Sequence, residues 1–311
     1  MYQSFFKLNR SPFEISPDPG FLYTTGQHQE AVAGLRYGVL SRKGFMVLTG
    51  EVGTGKTLVI RCLLDRMEKD RVAYAYVFNS LLTSQELMFY VAEDLGIRGA
   101  SGSKADVLLK LGRYFIDRHQ KGLTTMLIIE EAQHLNSRAL EEIRMLTNLE
   151  TPQGKSLQVI LIGQPELEAT LQANALRQLR QRIAFWFRLR PLAEAETYAY
   201  VEYRLRLAGS QKEGVFDRAA LKRVYAYSQG IPRLINTLCD HSMISAYALD
   251  RERITPELVE EAASDLGMKL AQAHISVPVP PIEPRSVGNS RSLPTDLLGI
   301  RTNFFLHEGI K

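Results

Sequence analysis

Cysteine is scarce in this chain. Two occur in 311 residues, Cys62 and Cys239, far apart in sequence. That excludes a disulfide-stapled scaffold and fits free thiols in a reducing cytoplasm. Long apolar runs are missing too. MLII (126–129) and VILIG (159–163) are strand-sized, against the ~20 residues a membrane-spanning helix needs, so no transmembrane segment is expected. The opening residues MYQSFFKLNR lack the apolar stretch of a secretory leader. No internal repeat is visible. What is present, 45% hydrophobic and 23% charged residues, is ordinary globular composition with room for two packed units. A net charge of +4 permits an anionic partner without requiring one.

Apolar runs at Phe45–Thr49, Val72–Phe78, Thr125–Ile129, Leu157–Gly163 and Ile183–Leu189 predict strands. Helical spacing falls between them, at Gln27–Leu40, 57–69, Ser84–Leu95, Asp106–His119 and Ser137–Leu149. Strands alternating with helices predict an α/β fold, a parallel sheet covered on both faces. After Pro191 the pattern becomes all-helical: Glu194–Ala208, Asp217–Ser228, Ile231–Leu249 and Thr255–Leu266. Thr255-Pro256-Glu257 is an N-cap followed by proline at the first helical position. Four regions follow: an N-terminal arm and helix packing on the core (1–43), an α/β core (44–190), a helical lid (191–268), and a proline-rich linker and tail (269–311). Within the arm, SPFEISPDPGFLYT (11–24) carries aromatics that want burial, so it reads as irregular but ordered. GIRGASGS (96–103) reads as a turn.

The first strong strand runs into Gly50-Glu51-Val52-Gly53-Thr54-Gly55-Lys56-Thr57, a full match to G-x-x-x-x-G-K-[ST] with one additional glycine. Glycines let such a loop wrap with its N–H groups inward, and the next helix, continuing through Leu58, offers its positive end to phosphates. Lys56 is placed to reach the β- and γ-phosphates and Thr57 to ligate Mg²⁺, so ATP and Mg²⁺ are the expected cofactors.

The strand MLII ends in Glu130-Glu131. A carboxylate there can hold a metal-bound water, which suits Glu130. A second can polarise the attacking water, which suits Glu131. The competing reading is that a glutamate simply caps the helix beginning near Asn136. Gln164, at the end of the strand Leu157–Gly163, can sense a γ-phosphate or position water, or else serves only as a turn residue before Pro165. The run LRQLRQRIAFWFRLRP (176–191) carries Arg177, Arg180, Arg182, Arg188 and Arg190. It is a solvated face, a nucleic-acid contact, or the source of an arginine finger acting in trans. The finger is favoured, with Arg182 first and Arg180 second, and Phe185-Trp186-Phe187 reads as strand core. Arg233 follows Gly230-Ile231-Pro232 in a first helical turn, a poor place for a cation unless a phosphate lies nearby.

These segments together resemble the AAA+ ATPases of the general secretion pathway protein A type, over about residues 1–268. The carriers are MYQSFFKLNRSPFEISPDPGFLY with His28 and Glu30, then GFMVLTGEVGTGKT, LIIEEAQHL, LTNLET, ILIGQPEL, LRQRI and GIPRLINTLCD. The resemblance implies an αβα core with a helical lid and ATP-dependent assembly into a homo-oligomeric ring or filament. It implies Glu131 as catalytic base, Gln164 as first sensor, Arg182 as finger and Arg233 as second sensor. It implies an ATPase that drives assembly or remodelling of a secretion or envelope system with a protein partner, in the cytoplasm or at the inner-membrane periphery. Related AAA+ proteins help transposases choose targets, so a DNA-associated ATP switch acting on duplex DNA is the alternative. The family usually has Asp where this chain has Glu130. One extra methylene there leads to an expectation of slowed turnover, with a non-hydrolysing scaffold as the extreme case. Longer members continue into a membrane span and a peptidoglycan-binding domain, which the proline-rich tail is not expected to replace.

Overall fold

The computed structural model describes residues 2–14, 23–78, 81–98, 102–148, 150–151 and 154–270. The middle of SPFEISPDPGFLYT, the centre of GIRGASGS, Leu149 and the tail from residue 271 lie outside these residues.

Five strands form one parallel sheet: β1 (Phe45–Gly50), β2 (Val72–Val77), β3 (Thr124–Ile129), β6 (Leu157–Gly163) and β7 (Ile183–Leu189). Their order is β2-β3-β6-β1-β7. A two-stranded antiparallel ribbon, β4 (Glu150–Thr151) with β5 (Gly154–Lys155), was not expected from the apolar pattern, which is silent on such short pairs.

Successive residues of β1 face opposite sides of the sheet. Phe45 and Val47 join the apolar layer built with α4 (Ser84–Asp94), α5 (Lys104–Gln120), α6 (Ser137–Leu146) and α7 (Pro165–Gln172). Met46 and Leu48 join the layer built with α2 (Gly26–Leu40) and α3 (Lys56–Asp65). With helices on both faces, all six residues of β1 and all seven of β6 are buried, which is why these strands read as continuous apolar runs. Edge strand β7 instead alternates. Phe185 and Phe187 pack toward α2, while Trp186 points the other way and is 40% exposed.

Helix α3 ends at Asp65, short of the expected 69. There Arg66 and Met67 bond back only three residues, to the carbonyls of Leu63 and Leu64, tightening the last turn. Helix α7 was missed entirely. Its signals are Pro165 at the first position and Leu167 with Leu171 buried at i, i+4, the same proline signature that marks α12 (Pro256–Asp265). A short α8 (Arg177–Arg180) precedes β7.

The lid consists of α9 (Glu194–Leu207), α10 (Arg218–Ser228), α11 (Pro232–Ala248) and α12. The arm differs from expectation. Helix α2 does pack on the sheet, but residues 2–14, including α1 (Tyr2–Phe5), pack on the lid. Phe6, Leu8 and Phe13 are buried among lid residues such as Val201, Leu238 and Val259. The physical reason is partly polar. Arg204, 6% exposed, donates to the Pro12 carbonyl and, at 3.3 Å, to that of Glu14. Ala208 O accepts from Asn9 N at 2.7 Å. The lid carries the acceptors and the apolar groove that the arm needs.

Candidate nucleotide site

The sheet order explains why distant motifs meet. Strand β6 lies between β3 and β1, so the residues leaving their carboxyl ends share one crevice, the usual ligand position in open α/β sheets. The 50–57 loop leaves β1, Glu130 and Glu131 leave β3, and Gln164 leaves β6.

The loop is braced from within. Thr54 Oγ1 donates to the Glu51 carbonyl at 2.8 Å, and Lys56 Nζ donates to the carbonyls of Gly50 at 2.7 Å and Glu51 at 3.0 Å. Burial pushes the Lys56 pKa down, while the negative charges of Glu131, Glu51, Glu130 and Glu166 oppose that shift. At Gly53 φ is +84°, and a Cβ there would lie 2.6 Å from Arg233 Cβ. Only glycine allows the loop and the first turn of α11 to approach so closely.

His28 of α2 supports the loop from behind. Its Nε2 lies 3.1 Å from the Thr54 carbonyl and its Nδ1 2.7 Å from the Thr25 hydroxyl. A carbonyl only accepts, so Nε2 carries the hydrogen and Nδ1 accepts from Thr25. Burial lowers the His28 pKa, with the Thr54 bond opposing. Apart from its place in the resemblance, nothing in the sequence marks this histidine as part of the site.

The two glutamates have separate environments. The Glu130 N–H still bonds to the Val77 carbonyl, extending the β2–β3 ladder. Its Oε1 accepts from the hydroxyls of Thr57 and Tyr76, both at 2.8 Å. The Tyr76 pKa is driven far up, first by burial and then by the Glu130 charge. Glu131 breaks from the strand into a left-handed conformation, φ 50° and ψ 36°, which costs a non-glycine residue about 1–3 kcal/mol. Its Oε2 accepts from Gln133 Nε2 at 2.6 Å and Gln164 Nε2 at 3.2 Å. Burial favours protonation of Glu131. The amides of Gln133 and Gln164, with the charges of Lys56 and His134, outweigh it and hold the pKa below the ordinary value. Glu131 is therefore a carboxylate at neutral pH, the form a general base needs.

Gln133 was not anticipated. Its Oε1 accepts from the Gln164 backbone N–H at 3.1 Å, so one side chain ties the end of β6 to the Glu131 carboxylate. A Cβ at Gly163 would lie 2.7 Å from that Oε1. The glycine before Gln164 was the available signal.

A cleft of about 540 Å³ opens over Val52 to Leu58 and Glu131. The lid closes its other side with Leu192, Tyr200, Arg204, Pro232, Arg233 and Asn236, and Tyr23 lines it from the arm side. Arg233 thus faces the loop. Arg182 does not. It precedes Ile183, which pairs with Phe45 at the start of β1, so it lies at the opposite end of the sheet from its own phosphate loop, bonded to Asn148. Other arginines of the run are engaged locally. Arg180 donates to the Gln172 carbonyl at 2.9 Å. Arg188 pairs with Glu168, which also accepts from Thr49 at 2.6 Å.

The residues present suit Mg²⁺. Thr57 and Glu130 offer hard oxygens side by side, the kind of donor this ion prefers when phosphates complete its shell. Among the described residues no cluster of three or more His, Cys, Asp or Glu could hold a metal unaided.

A parallel sheet with a phosphate loop after its first strand, carboxylates after its third and a helical lid over the cleft defines the class: a nucleotide-binding P-loop protein. The AAA domain family model matches residues 39–171. Over 268 residues the chain is 41% identical to general secretion pathway protein A of Aeromonas hydrophila, covering 86% of this chain and 49% of that protein. The chain carries an AAA ATPase domain and is related over most of its length to general secretion pathway protein A, of which it spans about half the length. In fold it is similar to the ORC2 protein of Aeropyrum pernix in its ADPNP–ADP complexes, with TM-score 0.62, 18% identity, and 85% and 73% of the two chains covered. Cdc6p of Pyrobaculum aerophilum gives TM-score 0.61, 19% identity, and 85% and 70%. At such identities these likenesses speak for the fold alone.

Proposed function

We propose that this chain binds ATP with Mg²⁺ and hydrolyses it. The observation that carries the reading is Glu131, kept ionised and held by two amide side chains, in the same cleft that the Lys56 loop lines and the lid covers. Mg²⁺ bound at Thr57 and Glu130 would supply charge neutralisation of the phosphates. Lys56 turns from the loop carbonyls to the β- and γ-phosphates. Glu131 takes the proton of the attacking water, Gln164 aligns that water, and Arg233 brings the lid onto the γ-phosphate. Arg182 completes the site of an adjacent copy, so turnover belongs to a homo-oligomer, a ring or filament.

The test is phosphate release from ATP with parallel nucleotide binding. Lys56→Ala should lose both. Glu131→Gln should keep binding and lose at least about a hundredfold in turnover, the usual scale of general-base catalysis. Unchanged release in both variants would overturn the assignment.

The relative's name points to a secretion pathway; within such a secretion or envelope system the ATP cycle would drive assembly or remodelling, in the cytoplasm or at the inner-membrane periphery. No helix among the described residues is long and apolar enough to cross a membrane. Glu131→Gln, as an ATP-holding trap, should retain the protein partner in an ATP-dependent pull-down. A duplex-DNA role draws less support, because Arg180 and Arg188 already have partners within the chain. An ATP-dependent, salt-sensitive gel shift would restore it.

A further inference from the structure

The cluster around Glu130 contains one hydroxyl to which the proposed chemistry gives no task. Tyr76 sits on β2, in register with Ile128 of β3, and its hydroxyl donates to the same Glu130 oxygen that Thr57 reaches. Every other part of Tyr76 is fixed as well. Its ring stacks on Phe78, with centroids 4.4 Å apart and planes at 25°. Its N–H donates to Asp94 Oδ2 at 2.6 Å, and its carbonyl accepts from the Tyr90 hydroxyl at 3.3 Å. β2 is an edge strand, where such backbone groups otherwise face solvent. Side chains of α4 complete the edge at this one residue.

The two hydroxyls on Glu130 are not equivalent. Thr57 lies in the first turn of the helix after the phosphate loop and has a second duty toward the metal. The Tyr76 hydroxyl has no partner besides Glu130 among the described residues. A glutamate has one more rotatable bond to order than an aspartate, and a hydroxyl donor to a carboxylate is a strong, charge-assisted way to fix its end.

We propose that Tyr76 is a positioning residue, anchoring the Glu130 carboxylate beside Thr57 so that Glu130 keeps its place when the Thr57 hydroxyl is engaged by the metal. The proposal rests on the ATP·Mg²⁺ reading above. A merely structural tyrosine would matter for stability and equally for nucleotide binding with and without Mg²⁺. A positioning tyrosine matters only for the Mg²⁺-dependent part, and only while residue 130 is a glutamate.

The experiment measures affinity of the full chain for a fluorescent ATP analogue in EDTA and across a Mg²⁺ titration. Tyr76→Phe keeps the ring and its stack and removes only the hydroxyl. It should leave binding in EDTA unchanged and reduce the Mg²⁺-dependent gain in affinity about tenfold, the scale of one hydrogen bond to a charged group. In a Glu130→Gln background the same substitution should have no further effect. Equal loss with and without Mg²⁺, a loss that persists in Glu130→Gln, or no loss at all would each overturn the proposal. A parent chain that binds no analogue under any condition overturns the nucleotide reading along with it. A parent that responds to Mg²⁺ and a Tyr76→Phe variant that matches it overturn Tyr76 alone.

Discussion

The sheet and the lid solve the same problem in different ways. The sheet closes on itself through apolar alternation. Leu127 and Val159 face one helical layer, Ile128 and Ile160 the other, all at 0–1% exposure. The lid does not close unaided. It takes Phe6, Leu8 and Phe13 from the far end of the chain and fixes them through a buried polar network. In that network Arg204 holds two arm carbonyls and, at 2.9 Å, the Tyr200 hydroxyl, which in turn donates to Asn236 at 2.8 Å. The difference teaches where each unit's specificity lies. A layered sheet needs only the right period. A four-helix lid with an open groove needs one particular segment, recognised by shape and by backbone carbonyls. Tyr200, Arg204 and Asn236 also line the nucleotide cleft, so the arm's anchor and the ligand's wall share side chains.

The contrast can be broken by cavity mutations. Phe13→Ala, at a fully buried ring that meets Phe216 edge-on at 6.0 Å, should cost about 4 kcal/mol, and Leu127→Ala about 3 kcal/mol. The chain's single tryptophan, Trp186, lies on β7 and reports the sheet. Urea unfolding followed by Trp186 fluorescence should shift strongly for Leu127→Ala and little for Phe13→Ala, while far-ultraviolet circular dichroism should shift for both. Equal fluorescence shifts would mean that arm, lid and sheet unfold as one unit.

Gly53→Ala probes where the two regions touch. A side chain at φ +84° costs about 1–2 kcal/mol, and the new Cβ pushes on Arg233. Thermal melts should fall by several degrees and nucleotide affinity should weaken. Loss of affinity without any loss of stability would show that the lid yields and the loop does not.

The smallest expected effect is a pH dependence. The folded His28 pKa is lowered from 6.5. The unfolded chain therefore binds the proton first, and the stabilising contribution is complete above about pH 6.5 and is lost as pH falls through and below that value. His119 is shifted in the same direction, by burial and by Arg42, so the comparison must be His28→Asn against parent. The variant should show a flatter stability curve between pH 7 and 5. A parallel curve would remove His28 from the account.

Glu130 also changes meaning once placed. As a sequence feature, its extra methylene predicts slow turnover. In the structure, the longer side chain is met by Thr57 and Tyr76 at 2.8 Å each. Glu130→Asp should withdraw the carboxylate by about one bond length, and errors near 1 Å cost up to ~10²-fold. Phosphate release by Glu130→Asp is expected to drop. A faster variant would favour the sequence-based expectation.

All five sheet strands were legible: β1, β3 and β6, covered on both faces, leave unbroken apolar runs, and edge strands β2 and β7 keep apolar or aromatic residues at most positions. The phosphate loop, Glu131, Gln164 and Arg233 were legible, because each sits next to an element end that its own neighbours announce. Gln133, His28 and Tyr76 were not. Each acts through a partner distant in the fold or on another strand, and none has a local pattern apart from the turn or strand it belongs to. The arm's destination was hidden for the same reason. Its aromatics say that it must be buried, and nothing in residues 2–14 says against what. Sequence alone determined which segments become strands, where the glycine-rich loop follows the first strand and where the two acids follow the third, since periodicity and backbone conformation are local properties. Tertiary structure alone decided the strand order that puts β6 between β3 and β1, the end of the sheet to which Arg182 belongs, and the partner that holds each glutamate. Those are pairings between distant residues, set by which combination buries the most apolar surface while leaving few polar groups unbonded.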